Sequence, residues 1–303
     1  MIEVCLLGAG GTMPLPGRWL TSLLVRWNGT QLLVDCGEGT QIALREKGFS
    51  CHQIDSICLT HYHADHTAGL PGLLLTMAKS ERLAPVSLYG PKGLQELMQG
   101  VLAIARYLPF ELRCIEYAQR ENTFEIKGMK ITAFGVKHSV PCFGYCFDYP
   151  RAPRFDAAKA KKLGLPVNLW GILQKGNAVE YEERQYLPEE VMGEKRRGIK
   201  FVYATDTRPV PFIGEYACNG DLLIAEGMYG DKEKQANALE NRHMMMQEAA
   251  AIAAGANVRK LWLTHYSPSM PNPGAYEQEV KEIFENTLIS NDGAFCDLSF
   301  SEE

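Results

Sequence analysis

The chain has 303 residues, enough for one large core or two modest ones, and its 46% apolar and 22% charged composition is that of a soluble globular protein. No apolar run approaches the roughly 18 residues a membrane span needs, the first residues read as a strand and not a signal peptide, and nine cysteines without a CxxC pair read as reduced cytoplasmic thiols. The net charge of −5 argues against a general nucleic-acid binder, yet residues 151–200 hold eleven Lys or Arg against seven Asp or Glu, either an ordinary solvated face or a local attraction for a polyanion.

Apolar runs predict strands over 4–7, 22–27 and 31–35, the last two joined at Asn28-Gly29, where both residues tolerate the positive φ of a tight hairpin. A helix is expected over 40–47, a short strand over 55–60, a helix over 70–79, a strand over 86–89, a helix over 92–104 and a strand over 130–136. The next segment differs. Tyr149-Pro150-Arg151-Ala152-Pro153-Arg154 breaks regular structure, 156–163 suggests a short helix, and 180–194 is polar and poorly periodic. Residues 150–198 are therefore read as an insertion protruding from a single domain that spans 1–303. Strands over 200–205, 222–225 and 260–264 follow, with helices over 244–254 and 276–286, and the mixture indicates an α/β layered protein.

The chemistry concentrates in His61-Tyr62-His63-Ala64-Asp65-His66, where four ligand-type side chains occupy six residues. Histidines do cluster on solvated loops by chance, and His52 reads that way. Chance does not account for six of seven falling in segments able to build one site. This density suits a first-row divalent cation, zinc above all. A metal-type side chain also follows a predicted strand five times, at His61, His138, Asp206, Glu226 and His265. Loops at strand ends converge on one edge of a sheet, where open α/β proteins place their sites. His61 and His63 with His138 suit one ion, and Asp65 and His66 with His265 a second. Asp206, with two oxygens, is the natural bridge between ions roughly 3.5–4 Å apart. Such a pair activates water for hydrolysis, phosphodiesters above all, and Asp65 is placed to take the water's proton. Gly8-Ala9-Gly10-Gly11-Thr12-Met13 begins like a dinucleotide fingerprint, but Met13 stands where the third glycine belongs, so it reads as a tight loop.

The pattern HxHxDH at 61–66, with His138, Asp206 and His265, resembles the metallo-β-lactamase superfamily. Further segments resemble its ribonuclease Z family, from the first strand to about residue 290. They are Leu7-Gly8-Ala9-Gly10-Gly11-Thr12, Arg18 before Thr21-Ser22, Asp35-Cys36-Gly37-Glu38-Gly39-Thr40-Gln41, Gly69-Leu70-Pro71-Gly72-Leu73, Tyr89-Gly90-Pro91-Lys92-Gly93 and Phe143-Gly144-Tyr145. The resemblance implies an αββα sandwich with zinc at the edge between its halves. Two Zn2+ per subunit are implied, with Mn2+ or another divalent cation able to substitute. It implies a cytoplasmic endoribonuclease that removes the 3′ trailer from precursor tRNA, a homodimer in which residues 150–198 act as the arm that clamps the substrate, and no membrane association.

The same resemblance gives Glu226 and His243 a paired role, the carboxylate holding the imidazole charged so that it protonates the departing 3′ oxygen or stabilises charge there. The alternative for His243 is a capping residue ahead of the helix at 244–254. Three places depart from the family pattern: Leu165-Pro166-Val167-Asn168-Leu169-Trp170-Gly171 lacks the arm's usual Gly-Pro element, Ala225 stands where a strand-end His is expected before Glu226, and Ser267-Pro268-Ser269-Met270 replaces Ser-x-Arg-Tyr. The rival function is another hydrolase of this fold, acting on small phosphodiesters, cyclic nucleotides or esters. A non-catalytic RNA-binding protein on the same fold would have lost ligands, and none is lost.

Overall fold

The computed structural model describes residues 1–301. Sixteen strands follow in chain order: β1 (Ile2–Gly8), β2 (Ser22–Trp27), β3 (Thr30–Val34), β4 (Ile54–Cys58), β5 (Val86–Gly90), β6 (Leu112–Glu116), β7 (Glu121–Ile126) and β8 (Met129–Gly135); then β9 (Phe143–Arg151), β10 (Val179–Tyr181), β11 (Arg184–Tyr186), β12 (Arg196–Ala204), β13 (Leu222–Glu226), β14 (Leu261–Thr264), β15 (Thr287–Ile289) and β16 (Ala294–Leu298). Two seven-stranded mixed sheets result, in the orders β16-β1-β2-β3-β4-β5-β6 and β15-β14-β13-β12-β9-β8-β7. In the first, β16 to β3 pair antiparallel and β3 to β6 parallel; in the second, β12 to β15 pair parallel and β7 to β9 antiparallel. The turn between β2 and β3 is the expected hairpin, with Asn28 at φ 44° and Gly29 at φ 73°.

Every residue of β3, β13 and β14 is buried, so both faces of these strands are covered. On the first sheet one set of alternate side chains, including Leu24, Leu33, Ile57 and Leu88, packs with Leu44, Leu70, Leu73, Leu74, Met77, Leu94 and Met98 from three helices, Thr40–Glu46, Leu70–Lys79 and Leu94–Ile104. The two sheets are tied to each other by Tyr145, whose hydroxyl donates to the Leu59 carbonyl at 2.7 Å, and by Trp27, whose Nε1 donates to the Ile126 carbonyl at 3.3 Å. The layering is αββα.

Residues 150–198 form a second compact unit. It has its own small core of Ala160, Leu165, Leu173, Val179, Tyr186 and Val191, with Trp170 and Phe155 against it. Its helices are Ala157–Lys162 and Val167–Gln174, the first capped by Asp156, whose carboxylate accepts from the Ala158 and Lys159 amides. The hairpin β10–β11 occupies part of the stretch whose polarity hid any period.

Candidate metal centre

The C-terminal ends of parallel strands in both sheets carry the site. β4 leads to Thr60 and His61, β12 to Asp206, and β14 directly to His265, while Glu226 is the last residue of β13 and His138 follows β8. Three of the residues that open these loops have left-handed backbones without being glycine: Asp35 at φ 61°, Asp206 at φ 54° and His265 at φ 57°. Each costs about 1 kcal/mol or more, and such strain persists only where surrounding structure holds it. After His63 the chain enters the short helix Ala64–Thr67, which turns Asp65 and His66 back toward the strand ends. Close glycine contacts make room for this. A side chain at Gly37 would meet the Asp65 carbonyl at 2.6 Å, and one at Gly11 would meet the His265 ring at 2.7 Å.

Two groups of donor atoms meet at one carboxylate. In the first, His61 Nε2 lies 2.9 Å from His63 Nδ1, and His138 Nε2 lies 3.3 Å from the same atom. His61 and His138 each stand 3.8 Å from Asp206 Oδ1. In the second, His66 Nε2 is 3.2 Å from His265 Nε2, and Asp65 Oδ2 is 3.5 and 3.3 Å from those two nitrogens. Both imidazoles face the other oxygen of Asp206, Oδ2, at 3.1 and 3.2 Å. Such spacings match the edges, about 3.3 Å, of a tetrahedron of donors around zinc.

The pattern fits a cation for a further reason. Asp206 Oδ2 is buried and has no hydrogen-bond donor aimed at it, although two ring nitrogens crowd it. Without an ion, a proton on His66 balances this charge, since burial is outweighed by Asp206 and Asp35, which raise that ring well above its ordinary value, and a divalent ion among the same atoms would take the proton's place. Burial, with the His66 charge second, holds His61 down to about 2, and burial holds His138 down to about 4. Both rings therefore stay neutral, the form that ligates a metal. For Asp65, burial is outweighed by hydrogen bonds and charge from His265 and His66, which keep it well below the usual carboxylate range. Its Oδ2 also accepts from the Thr12 amide at 2.6 Å, which gives the Gly10-Gly11-Thr12 loop its place in the site.

Glu226 is fully buried, with Oε1 accepting from the Thr207 amide at 2.5 Å and Oε2 facing His243 Nδ1 at 2.9 Å. Burial opposes a charge on His243, but the Glu226 carboxylate prevails and raises it to about 9. His243 Nδ1 also stands 3.9 Å from Asp206 Oδ1, so the Glu226–His243 pair borders the cluster. All nine side chains taken from the sequence for ligation or proton transfer thus come together, while His52 lies exposed on a 3₁₀ turn and takes no part.

One residue of the site lacked a role in the sequence reading. Asp35 follows β3, is completely buried, and its Oδ2 meets His66 Nδ1 at 2.8 Å while Oδ1 accepts from the Thr60 amide at 2.8 Å. The rule that picked out Asp206 as an acid closing a strand applies equally to Asp35 and finds it.

Comparison with known proteins sharpens this picture. Over 303 residues the chain is 50% identical to ribonuclease Z of Lachnospira eligens, covering 100% of both sequences. Human tRNase Z, short form, superposes with a TM-score of 0.69 at 23% identity, covering 98% of this chain and 100% of that one. The metallo-β-lactamase fold protein YhfI from Bacillus subtilis superposes with a TM-score of 0.70 at 20% identity, covering 97% and 98%. The family described as anti-Pycsar protein Apyc1 matches residues 2–149. Among the described residues no helix is long and apolar enough to cross a membrane.

Proposed function

Because the chain belongs to the ribonuclease Z family, we propose that it is a metal-dependent endoribonuclease that removes the 3′ trailer from precursor tRNA. The observation that carries the reading is Asp206, which turns one carboxylate oxygen toward His61 and His138 and the other toward His66 and His265. We assign one ion to His61, His63 and His138 and a second to Asp65, His66 and His265, with Asp206 between them. The all-nitrogen-and-oxygen donor set suits zinc, and Mn2+ is the next candidate. When bound, such ions lower the pKa of water and draw charge from a phosphodiester.

The chain's own groups complete the reaction. Asp65, fixed by the Thr12 amide, receives the proton of the attacking water. His243, held charged by Glu226, gives its proton to the departing 3′ oxygen, which leaves the tRNA with a 3′-hydroxyl. The strand ends that present these groups are buried, so little water competes with the transferred protons.

Residues 150–198 serve in this proposal as the arm that holds tRNA away from the cut. Lys159, Lys161 and Lys162 crowd the end of the helix Ala157–Lys162 and are exposed, placing positive charge where phosphates bind without reading bases. A homodimer, each arm serving its partner's centre, and a cytoplasmic location follow the family pattern and suit nine free thiols. A second reading is a hydrolase of small phosphodiesters, which would need the same ligands and no arm; the family match over residues 2–149 takes in five of the candidate ligands and ends before the arm. Cleavage of an unprocessed tRNA transcript tests the choice, with bis(p-nitrophenyl) phosphate as the small substrate. Changing Lys159, Lys161 and Lys162 together to Glu should raise KM for the transcript tenfold or more and leave the small ester untouched. A transcript that is never cut removes the tRNA assignment, and one cut equally well by the variant removes the role given to the arm.

A further inference from the structure

His243 is carried on a strap whose shape is set from outside the cluster of ligand side chains. Arg242, just before it, has a left-handed backbone at φ 59°. Its Nη1 donates to the His138 carbonyl at 2.6 Å, and its own carbonyl faces His138 Nδ1 at 3.4 Å. The carbonyl of His243 accepts from Arg208 Nη1 at 2.5 Å. Glu248 grips the same guanidinium in the two-pronged manner that fixes direction as well as distance: Nη1 donates to Oε2 at 2.8 Å, and Nη2 donates to Oε1. Oε2 of Glu248 also accepts from the Met245 amide at 2.9 Å, so the carboxylate holds the far end of the strap.

Arg208 is anchored in turn. Its amide donates to the Lys137 carbonyl at 3.0 Å, one residue before His138, and it lies two residues after Asp206. The Arg208 and Glu248 side chains retain only 12% and 24% of their exposure, which shields the pair from the screening that empties surface ion pairs of effect. Arg208 therefore links, through its amide and its guanidinium, the segments that carry Asp206, His138 and His243. None of its contacts is with a ligand side chain, and a shift of about 1 Å in a proton donor is enough to cost a large part of its effect.

We propose that Arg208, locked by Glu248, is a positioning residue for proton transfer: it fixes the main chain of His243 so that the imidazole stays against Glu226 and over the departing oxygen. The inference rests on the hydrolytic reading above and assigns two residues that reading does not use. In the step concerned, the water oxygen bonds to phosphorus and its proton passes to Asp65. The electron pair of the breaking P–O bond stays on the departing oxygen, which takes the proton from His243. Solvent then restores the proton to His243.

A series of phosphodiesters with leaving groups of graded acidity tests this without using tRNA. A p-nitrophenolate departs without needing a proton, so Arg208→Gln should keep kcat for that ester within about twofold of the parent. For an unsubstituted phenyl or alkyl leaving group kcat should fall about 100-fold with KM unchanged, the usual worth of a placed acid. Glu248→Gln, a milder change, should steepen the same dependence by less. Divalent-ion content, measured on both variants, should stay at the parental level. A uniform fall across all leaving groups, a loss of bound ion, or no change at all would overturn the proposal. A parent enzyme that hydrolyses the series but leaves precursor tRNA intact would sink the tRNA assignment alone, and the leaving-group dependence would still decide the role of Arg208.

Discussion

Asp35 Oδ2 and His66 Nδ1 meet at 2.8 Å in a place where neither residue has any exposed surface. The contact fixes the orientation of the His66 ring and turns its Nε2 toward Asp65, Asp206 and His265. The second oxygen of Asp35 is held by the Thr60 amide and hydroxyl at 2.8 and 3.0 Å, so the ring cannot swing without breaking a buried network. Asp35→Ala should lower affinity for the divalent ion by roughly 10–100-fold. Competition against a chromophoric chelator measures it, and an unchanged affinity would show that His66 is oriented by something else.

His63 is the least buried of the three histidines in its group, and it gives Nδ1 where His61 and His138 give Nε2. Its removal opens the first ion position to solvent. His63→Ala should yield purified protein with one fewer divalent ion per chain. Turnover of both precursor tRNA and bis(p-nitrophenyl) phosphate should fall by more than the roughly 100-fold ceiling of an outer-sphere change. Retained turnover would contradict a mechanism that needs both ions.

Much of this architecture is written locally. The helix Leu70–Lys79 lies where its period places it, because Leu70, Leu73, Leu74 and Met77 share one buried face. The helix expected over 244–254 begins later, at Met246, because Met245 is extended and bridges to Tyr229. Strands β6 and β7 escape a local reading since they alternate half-buried and exposed positions at sheet edges, with charged residues among the exposed ones. The Asp292-Gly293 turn signals a strand at β16, but its partner β1 lies at the other end of the chain and no local rule pairs them. The helix Val167–Gln174 is hidden by Pro166 and Gly171, which read as breakers, although the proline sits harmlessly at its cap. At the centre, ligand chemistry is legible from residue type and strand-end position. Which oxygen of Asp206 faces which histidines is not, because pairing across two sheets is a tertiary property. The Arg208–Glu248 clamp is hidden for the same reason: forty residues separate its partners.

Gly11 and Gly100 make a matched pair for testing how tightly the centre is built. A β-carbon at Gly11 would sit 2.7 Å from the His265 ring, whereas at Gly100, within the helix Leu94–Ile104, it would meet nothing. Gly11→Ala should displace His265 and cost most of the ion held with His66 and Asp65, read as metal content and lost turnover. Gly100→Ala should leave activity alone and raise stability by about 0.5–1 kcal/mol, since alanine loses less backbone entropy in a helix. An active, fully loaded Gly11→Ala protein would mean the loop yields more easily than its contacts indicate.

With the ions stripped by chelation, the centre should give the protein a stability optimum close to pH 6.5. His138 is held by burial at about 4 against an ordinary value of 6.5, so it takes up a proton far more readily in the unfolded chain. The unfolded state then binds more protons between pH 6.5 and 4, and stability must fall as the pH drops through that window. His61, held down to about 2, extends the fall to lower pH. His243 acts on the opposite side. Raised to about 9 by Glu226 against the opposition of burial, it contributes stability that is complete below 6.5 and is lost as the pH rises toward 9. Urea midpoints collected from pH 4 to pH 9 should trace both limbs. Glu226→Gln should make the alkaline limb shallower, the remainder coming from His66, where burial is outweighed by Asp206 and Asp35 and the ring is raised well above 6.5, and His138→Asn should make the acid limb shallower. A Glu226→Gln protein that kept the full alkaline decline would show that the charge on His243 is held by other groups, and the proton donor would then need a different partner.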